Sequence, residues 1–190
     1  PKGFLLRENF VSESDESELV GWLKDDSSLS WERAVEGRRV LQFGPARYDY
    51  DQQRVVLSPE APEIPEVLRK MLARLPDKLS ERLVQCIVNE YSPDDAIPFH
   101  IDDDAFGENI VVFCFGESRP LRMRRCCDPA VDELQPSDQK RCYEKWEYQI
   151  RSRGCYQLSG DGRYAWEHSV PPGKGRRISV TFREWPETVK

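Results

Sequence analysis

The sequence predicts an α+β, mainly β fold: a barrel or jelly roll with N-terminal helices packed on one side. Three observations carry this reading. Two segments within the first 75 residues repeat apolar side chains at helical spacing; short runs of β-branched and aromatic residues follow from residue 84 onward; Pro, Gly and Asp separate those runs.

In chain order, residues 3–7 read as a strand, and residues 13–24 as a helix with Ser12 or Ser14 as N-cap and Leu19, Val20 and Leu23 on one face. Residues 31–57 break into short pieces at Gly37, Gly44 and Pro45, with Phe43, Tyr48 and Tyr50 set among Arg38, Arg39, Arg47 and Arg54. This is the composition of a substrate lid, with Arg39, Phe43 and Tyr48 as its contact residues. Residues 62–75 form a second helix, because Ile64, Val67, Leu68, Met71, Leu72 and Leu75 recur at three-to-four spacing before Pro76. Strands are expected at 84–91, 110–115, 121–125, 143–150, 155–159 and 178–182. The polar stretch 126–145, with Pro129 and Pro136, is longer than most hairpin connections and reads as an insertion.

At 190 residues the chain is the size of one domain: helices and lid over 1–80, a catalytic core over 81–190. Hydrophobic residues at 38%, with five Trp, eight Phe and seven Tyr, supply enough apolar bulk to exclude disorder. No apolar run approaches the roughly 20 residues of a spanning helix, so a soluble monomer with no membrane partner is expected. Pro1 stands where an initiating Met would, which suggests a piece excised from a longer chain.

The net charge of −6 argues against a protein that coats nucleic acid nonspecifically, since that affinity comes from many Lys and Arg. Nucleic-acid contact would be local, with candidate basic patches at Arg38-Arg39, 122–125 and 151–153. The six cysteines form no CxxC pair and no signal peptide precedes them, so free thiols in a cytoplasmic or nuclear setting are expected. Zinc on Cys126, Cys127, Cys142 and Cys155 is the less supported reading, because adjacent cysteines are poor ligand spacing.

Only two histidines occur. His100 and Asp102 are two apart, so on an extended backbone both point to one side and can converge on one ion; His168 alone remains to close the set. Two His and one carboxylate on one face leave the opposite positions of an octahedral iron(II) open, the usual use of this ligand set in non-haem oxygenases. Alone, an HxD is weak evidence, and its support comes from the far end of the chain. Residues 177–183 alternate polar and apolar, so Arg177, Ser179, Thr181 and Arg183 share a face. Arginines turned into a barrel need carboxylates, and a dicarboxylate co-substrate would supply them; an exposed edge strand with solvated arginines is the competing reading.

Asn89-Glu90-Tyr91, then HxD, a distal His and an R-x5-R resemble, in this order, the AlkB family of oxidative demethylases over residues 84–184. The runs "GDGRYAWEH" and "RRISVTFRE" add to the likeness, and "GRRVLQFGPARYDY" resembles the lid of eukaryotic-type members, including those acting on transfer RNA and one implicated in removing methyl groups from actin lysine. The resemblance implies a double-stranded β-helix (jelly roll) whose N-terminal helices pack on one sheet. It implies iron(II) on His100, Asp102 and His168, and 2-oxoglutarate held by a bidentate pair with Arg177, with hydrogen bonds from Asn89 and Tyr91. Arg183 is implied near the metal, supporting the co-substrate or Asp102; Ser179 and Thr181 share its strand face, and Ser179 stands where the bacterial pattern has Asn. In the bacterial enzyme the acid two places after the metal Asp meets the methylated base, which points to Asp104 here.

The activity so implied consumes O2 and 2-oxoglutarate, hydroxylates an N-methyl carbon and releases formaldehyde, succinate and CO2. Methylated RNA or DNA is the expected substrate, flipped into the pocket. A methylated protein is the alternative, since a cationic methyl-lysine suits Asp103 and Asp104 equally well.

Overall fold

A computed structural model describes residues 1–25, 27–34, 37–58, 60–125 and 144–185. The expected insertion lies almost wholly outside these residues, as do Cys126, Cys127 and Cys142. In chain order the elements are β1 (Phe4–Arg7), α1 (Glu13–Asp25), β2 (Glu32–Arg33), β3 (Arg39–Phe43), β4 (Ala46–Asp49), β5 (Arg54–Leu57), α2 (Glu66–Leu72), α3 (Asp77–Ser80), β6 (Leu83–Tyr91) and β7 (Ile97–His100). They continue with β8 (Ile110–Gly116), β9 (Arg119–Arg125), β10 (Lys145–Ile150), β11 (Gly154–Leu158), α4 (Asp161–Tyr164), β12 (Trp166–Val170) and β13 (Arg177–Glu184).

A seven-stranded sheet in the order β1-β11-β8-β13-β6-β3-β2 faces a four-stranded sheet in the order β10-β9-β12-β7, and β4 and β5 form a separate hairpin. Paired strands are antiparallel throughout. This is the jelly roll that the strand spacing predicts.

Two apolar clusters explain why the larger sheet is buried on both sides. Leu19 and Leu23 of α1 and Leu68 and Met71 of α2 pack on Cys86, Val88, Phe113, Val180 and Phe182, covering its outer face. Between the sheets, Val112, Cys114 and Tyr156 meet Leu121, Met123, Trp166 and Val170. Each such Leu, Val or Phe contributes about 1.5–3 kcal/mol.

Local signals set the element ends. Ser12 is the cap of α1, its hydroxyl accepting from the Asp15 N–H at 3.1 Å. The second helix is shorter than the expected 62–75. Pro62 and Pro65 bias the residues before them, Ala61 and Ile64, away from helical geometry, so α2 starts only after Pro65. Ile64 still packs on the core, but from non-helical chain, which is why its spacing mimicked a helix.

The expected lid divides. β3 joins the larger sheet beside β6, and its Leu41 and Phe43 enter the helix-side core; only the β4–β5 hairpin hangs over the sandwich mouth. Arg119, 1% exposed, donates to the carbonyls of Ser92, Asp95 and Gly175, tying the loop after β6 to the loop before β13. Cys86, Cys114 and Cys155 are buried free thiols, and the other three cysteines of the zinc reading lie outside the described residues. Among the described residues no helix is long and apolar enough to cross a membrane.

Candidate metal and co-substrate site

Antiparallel pairing of β7 with β12 sets His100 directly opposite His168, with ring centroids 4.3 Å apart. Asp102 follows β7 by two residues and turns its carboxylate into the same space. The ligand atoms of His100, Asp102 and His168 all lie within 4.8 Å of one another. His168 Nε2 is 3.6 Å from Asp102 Oδ2, too long for a hydrogen bond but within the roughly 3–4 Å separating two donors that share an ion about 2 Å from each. His100 Nδ1 lies 2.9 Å from the Pro98 carbonyl, a contact that fixes the tautomer with Nε2 free to ligate.

The electrostatics suit a cation. Burial alone would push the Asp102 carboxyl up, but Arg183 and the two imidazoles outweigh it and hold the group well below the usual carboxylate range. Arg183 donates to Asp102 Oδ1 through Nε at 3.0 Å and Nη2 at 2.6 Å, leaving Oδ2 toward His168. Burial, then the proximity of His100, lowers His168 to about 3, against the pull of Asp102, so the imidazole is neutral, as a ligand must be.

This has a measurable consequence for the metal-free protein. The unfolded chain takes up the His168 proton near 6.5 and the folded chain only near about 3. The stability His168 contributes is therefore complete above pH 6.5 and drains away as the pH falls toward 3. Between pH 7 and pH 5 the wild type is expected to lose about 2 kcal/mol that a His168→Gln variant keeps. Urea midpoints at both pH values read the difference; equal losses in the two proteins would contradict it.

Behind the triad an inner cavity of about 60 Å³ runs between the sheets. Asn89 and Tyr91 from β6 and Arg177, Ser179, Thr181 and Arg183 from β13 all line it. The alternation in β13 does this: Ile178, Val180 and Phe182 turn to the helices while the polar residues turn inward. Asn89 Nδ2 donates to Ser179 Oγ at 3.4 Å, and the Tyr91 hydroxyl lies 3.5 Å from the same oxygen.

Arg177 is 2% exposed, and among the described residues no carboxylate pairs with it. Its Nη2 donates to the Cys114 sulfur at 2.9 Å, its Nη1 reaches the Glu117 carbonyl at 3.4 Å, and its Nε is buried without a partner. A buried guanidinium so poorly satisfied is costly unless an anion completes it, and a carboxylate offers the two acceptors it lacks. The donor set therefore fits iron at one end and a dicarboxylate running to Arg177 at the other.

An outer cavity of about 330 Å³ opens from His100 and Asp102 toward solvent. Tyr48 lines it, together with Arg38, Tyr50, Gln53, Asp103 and Phe106. Three other residues expected to contact substrate, Arg39, Phe43 and Asp104, do not line it. Arg39 turns to the other side of β3, where it pairs with Glu90 and lies 4.5 Å over the Trp31 ring. Phe43 is buried against Trp22, with ring centroids 6.2 Å apart, and Asp104 is exposed while its neighbour Asp103 faces the cavity. For Arg39 and Phe43 the displacement is the alternation of strand β3, and for Asp104 it is the turn that follows Asp103; neither is revealed by an isolated Arg38-Arg39 or Asp103-Asp104 pair.

The chain belongs to the 2OG-Fe(II) oxygenase superfamily, whose family model matches residues 9–183. It is an iron(II)- and 2-oxoglutarate-dependent dioxygenase, and the relatives agree with its motifs on the AlkB type.

Mouse tRNA (carboxymethyluridine(34)-5-O)-methyltransferase ALKBH8 is 25% identical over 183 residues, covering 92% of this chain and 25% of its own length. The chain thus spans about a quarter of that relative. Protein L905 of Acanthamoeba polyphaga mimivirus is 27% identical, with 95% of this chain and 84% of its own covered. The Alkylated DNA repair protein ALKBH8 homolog of Arabidopsis thaliana is 26% identical, with 96% and 58% covered. In structure the chain is similar to OsALKBH1, with a TM-score of 0.70 at 16% identity and 97% of each chain covered. A Pseudomonas putida prolyl-4-hydroxylase follows with a TM-score of 0.63 at 13% identity, covering 96% of this chain and 92% of its own. At such identities the likeness shows the fold alone.

Proposed function

We propose that this chain is an oxidative demethylase that removes N-methyl groups from RNA or DNA bases, acting as a monomer in the cytoplasm or nucleus. In this reading His100, Asp102 and His168 hold the iron, Arg177 grips the far carboxylate of 2-oxoglutarate, and Asn89, Tyr91, Ser179 and Thr181 line its path. When bound, iron(II) and 2-oxoglutarate would let O2 act as the oxidant, one oxygen atom going into succinate as CO2 leaves and the other into the substrate methyl C–H bond. The protein's own share is placement. Arg183 orients Asp102, the two sheets exclude water from the inner cavity, and the outer cavity holds the methyl group beside His100 and Asp102.

The observation that carries the substrate class is the outer cavity. Its mouth is flanked by Tyr48 and Tyr50, in edge contact at 5.1 Å, and its wall bears the Asp103 carboxylate beside the metal ligands. A flat, methylated base with positive charge matches aromatic walls and one acidic group. The mouse relative, named as a tRNA methyltransferase, supports RNA.

A second reading, a methyl-lysine protein substrate, is favoured by the net charge of −6 and by the same Asp103. Formaldehyde and succinate release with methylated RNA, methylated single-stranded DNA and methyl-lysine peptides, offered in parallel, separates the two. Formaldehyde from nucleic acid, with affinity that weakens as salt rises, is the expected result. Formaldehyde from the peptide alone would overturn it.

A further inference from the structure

We propose that Arg163 is a positioning residue of the metal centre, fixing the backbone of Asp102 and Asp103 so that the Asp102 carboxylate meets His168. The proposal rests on reading His100, Asp102 and His168 as the metal ligands. Arg163 lies on the four-residue helix α4 and is 1% exposed. Its Nη1 donates to the Asp102 carbonyl at 3.0 Å and its Nη2 to the Asp103 carbonyl at 2.7 Å. Its Nε is buried without a partner, and among the described residues no carboxylate pairs with the guanidinium.

Burying a cation for packing alone is unfavourable, since an apolar side chain of similar volume fills space at less cost. What the arginine provides is two charge-assisted donors aimed at one short stretch of backbone. That stretch needs them. β7 ends at His100, and residues 101–109 form neither strand nor helix, so no sheet ladder holds this stretch; apart from Arg163, the Asp103 carbonyl accepts one turn hydrogen bond, from the Phe106 N–H at 3.1 Å.

The direction of the brace matters as much as its strength. From Arg163 the chain passes through Ala165 straight into β12, which carries His168 five residues further on. Arg163 therefore ties the Asp102 backbone to the element that supplies the second imidazole. Arg183, from the opposite sheet, grips the Asp102 side chain instead. One arginine sets where the residue sits and the other where its carboxylate points. With both in place, Asp102 Oδ2 stays 3.6 Å from His168 Nε2 without a direct hydrogen bond between them. Asp103, held by the same guanidinium, is placed on the outer cavity wall.

The test measures metal affinity, not turnover. Mn(II) is titrated into metal-free wild type, Arg163→Met, Arg163→Lys and His100→Ala, with free Mn(II) read by electron paramagnetic resonance and the fold by near-ultraviolet circular dichroism. Arg163→Met is expected to keep the native spectrum and bind Mn(II) about 10- to 100-fold more weakly, the usual effect of losing a group that orients a ligand. Arg163→Lys, able to reach one carbonyl, should fall between Met and wild type. A folded Arg163→Met variant binding within twofold of wild type would overturn the proposal. So would loss of the native spectrum in both variants, which would make Arg163 a requirement of folding. Wild-type Mn(II) affinity in His100→Ala would instead remove the ligand assignment beneath it.

Discussion

Arg177→Met is expected to raise the 2-oxoglutarate concentration for half-maximal turnover by about a hundredfold, while leaving the ligand-free protein at least as stable as wild type. The two halves share a cause. In the free protein Arg177 is a buried cation whose contacts are a thiol, a long carbonyl bond and nothing at Nε. Methionine fills similar space without that desolvation cost, and such replacements are often neutral or stabilising by about 1–4 kcal/mol. With the co-substrate present the balance inverts, because a carboxylate would then be buried with no cation to receive it. Thermal midpoints with and without 2-oxoglutarate, alongside its titration, give both quantities. Unchanged affinity in the variant would remove Arg177 from the co-substrate site.

Asp102→Ala is expected to reduce turnover by on the order of 10³ or more and to destabilise the metal-free fold by about 3 kcal/mol. It removes a ligand and also strands Arg183, which is 9% exposed and donates two hydrogen bonds to that carboxylate. Removing the stranded charge as well separates these losses: Asp102→Ala with Arg183→Met should regain most of the stability and none of the turnover. If the double variant were no more stable than the single one, the ion pair would not be the source of the loss.

The legible parts of this site were those where one strand carries several constraints at once. In residues 177–183 the apolar partners Ile178, Val180 and Phe182 put Arg177 and Arg183 together on the opposite face, which the sequence pattern shows, and the second sheet turns that face inward, which it does not. His168 was found by scarcity, not by pattern: its strand, β12, is buried at every position and shows no alternation to read. Strand β7 is illegible for a related reason, because Pro98 interrupts four residues whose main feature is the histidine at their end. In the lid, two adjacent arginines stand at the start of β3, and only the packing of Leu41 and Phe43 against the helices decides that Arg38 faces the cavities and Arg39 does not. Arg163 had no local signal, since its partners are backbone carbonyls sixty residues away, and carbonyls leave no mark in a sequence.

The two-faced character of β13 also sets what changes in chain length it can accept. Substitution at Ser179 or Thr181 alters one contact inside the cavity. Inserting or deleting one residue between Ile178 and Phe182 would exchange the two faces beyond that point, sending Arg183 into the apolar layer beneath the helices and an aromatic ring toward the metal ligands. Descendants of this gene can thus drift in spelling along the strand, but its length is held fixed by two opposed requirements, one from folding and one from chemistry.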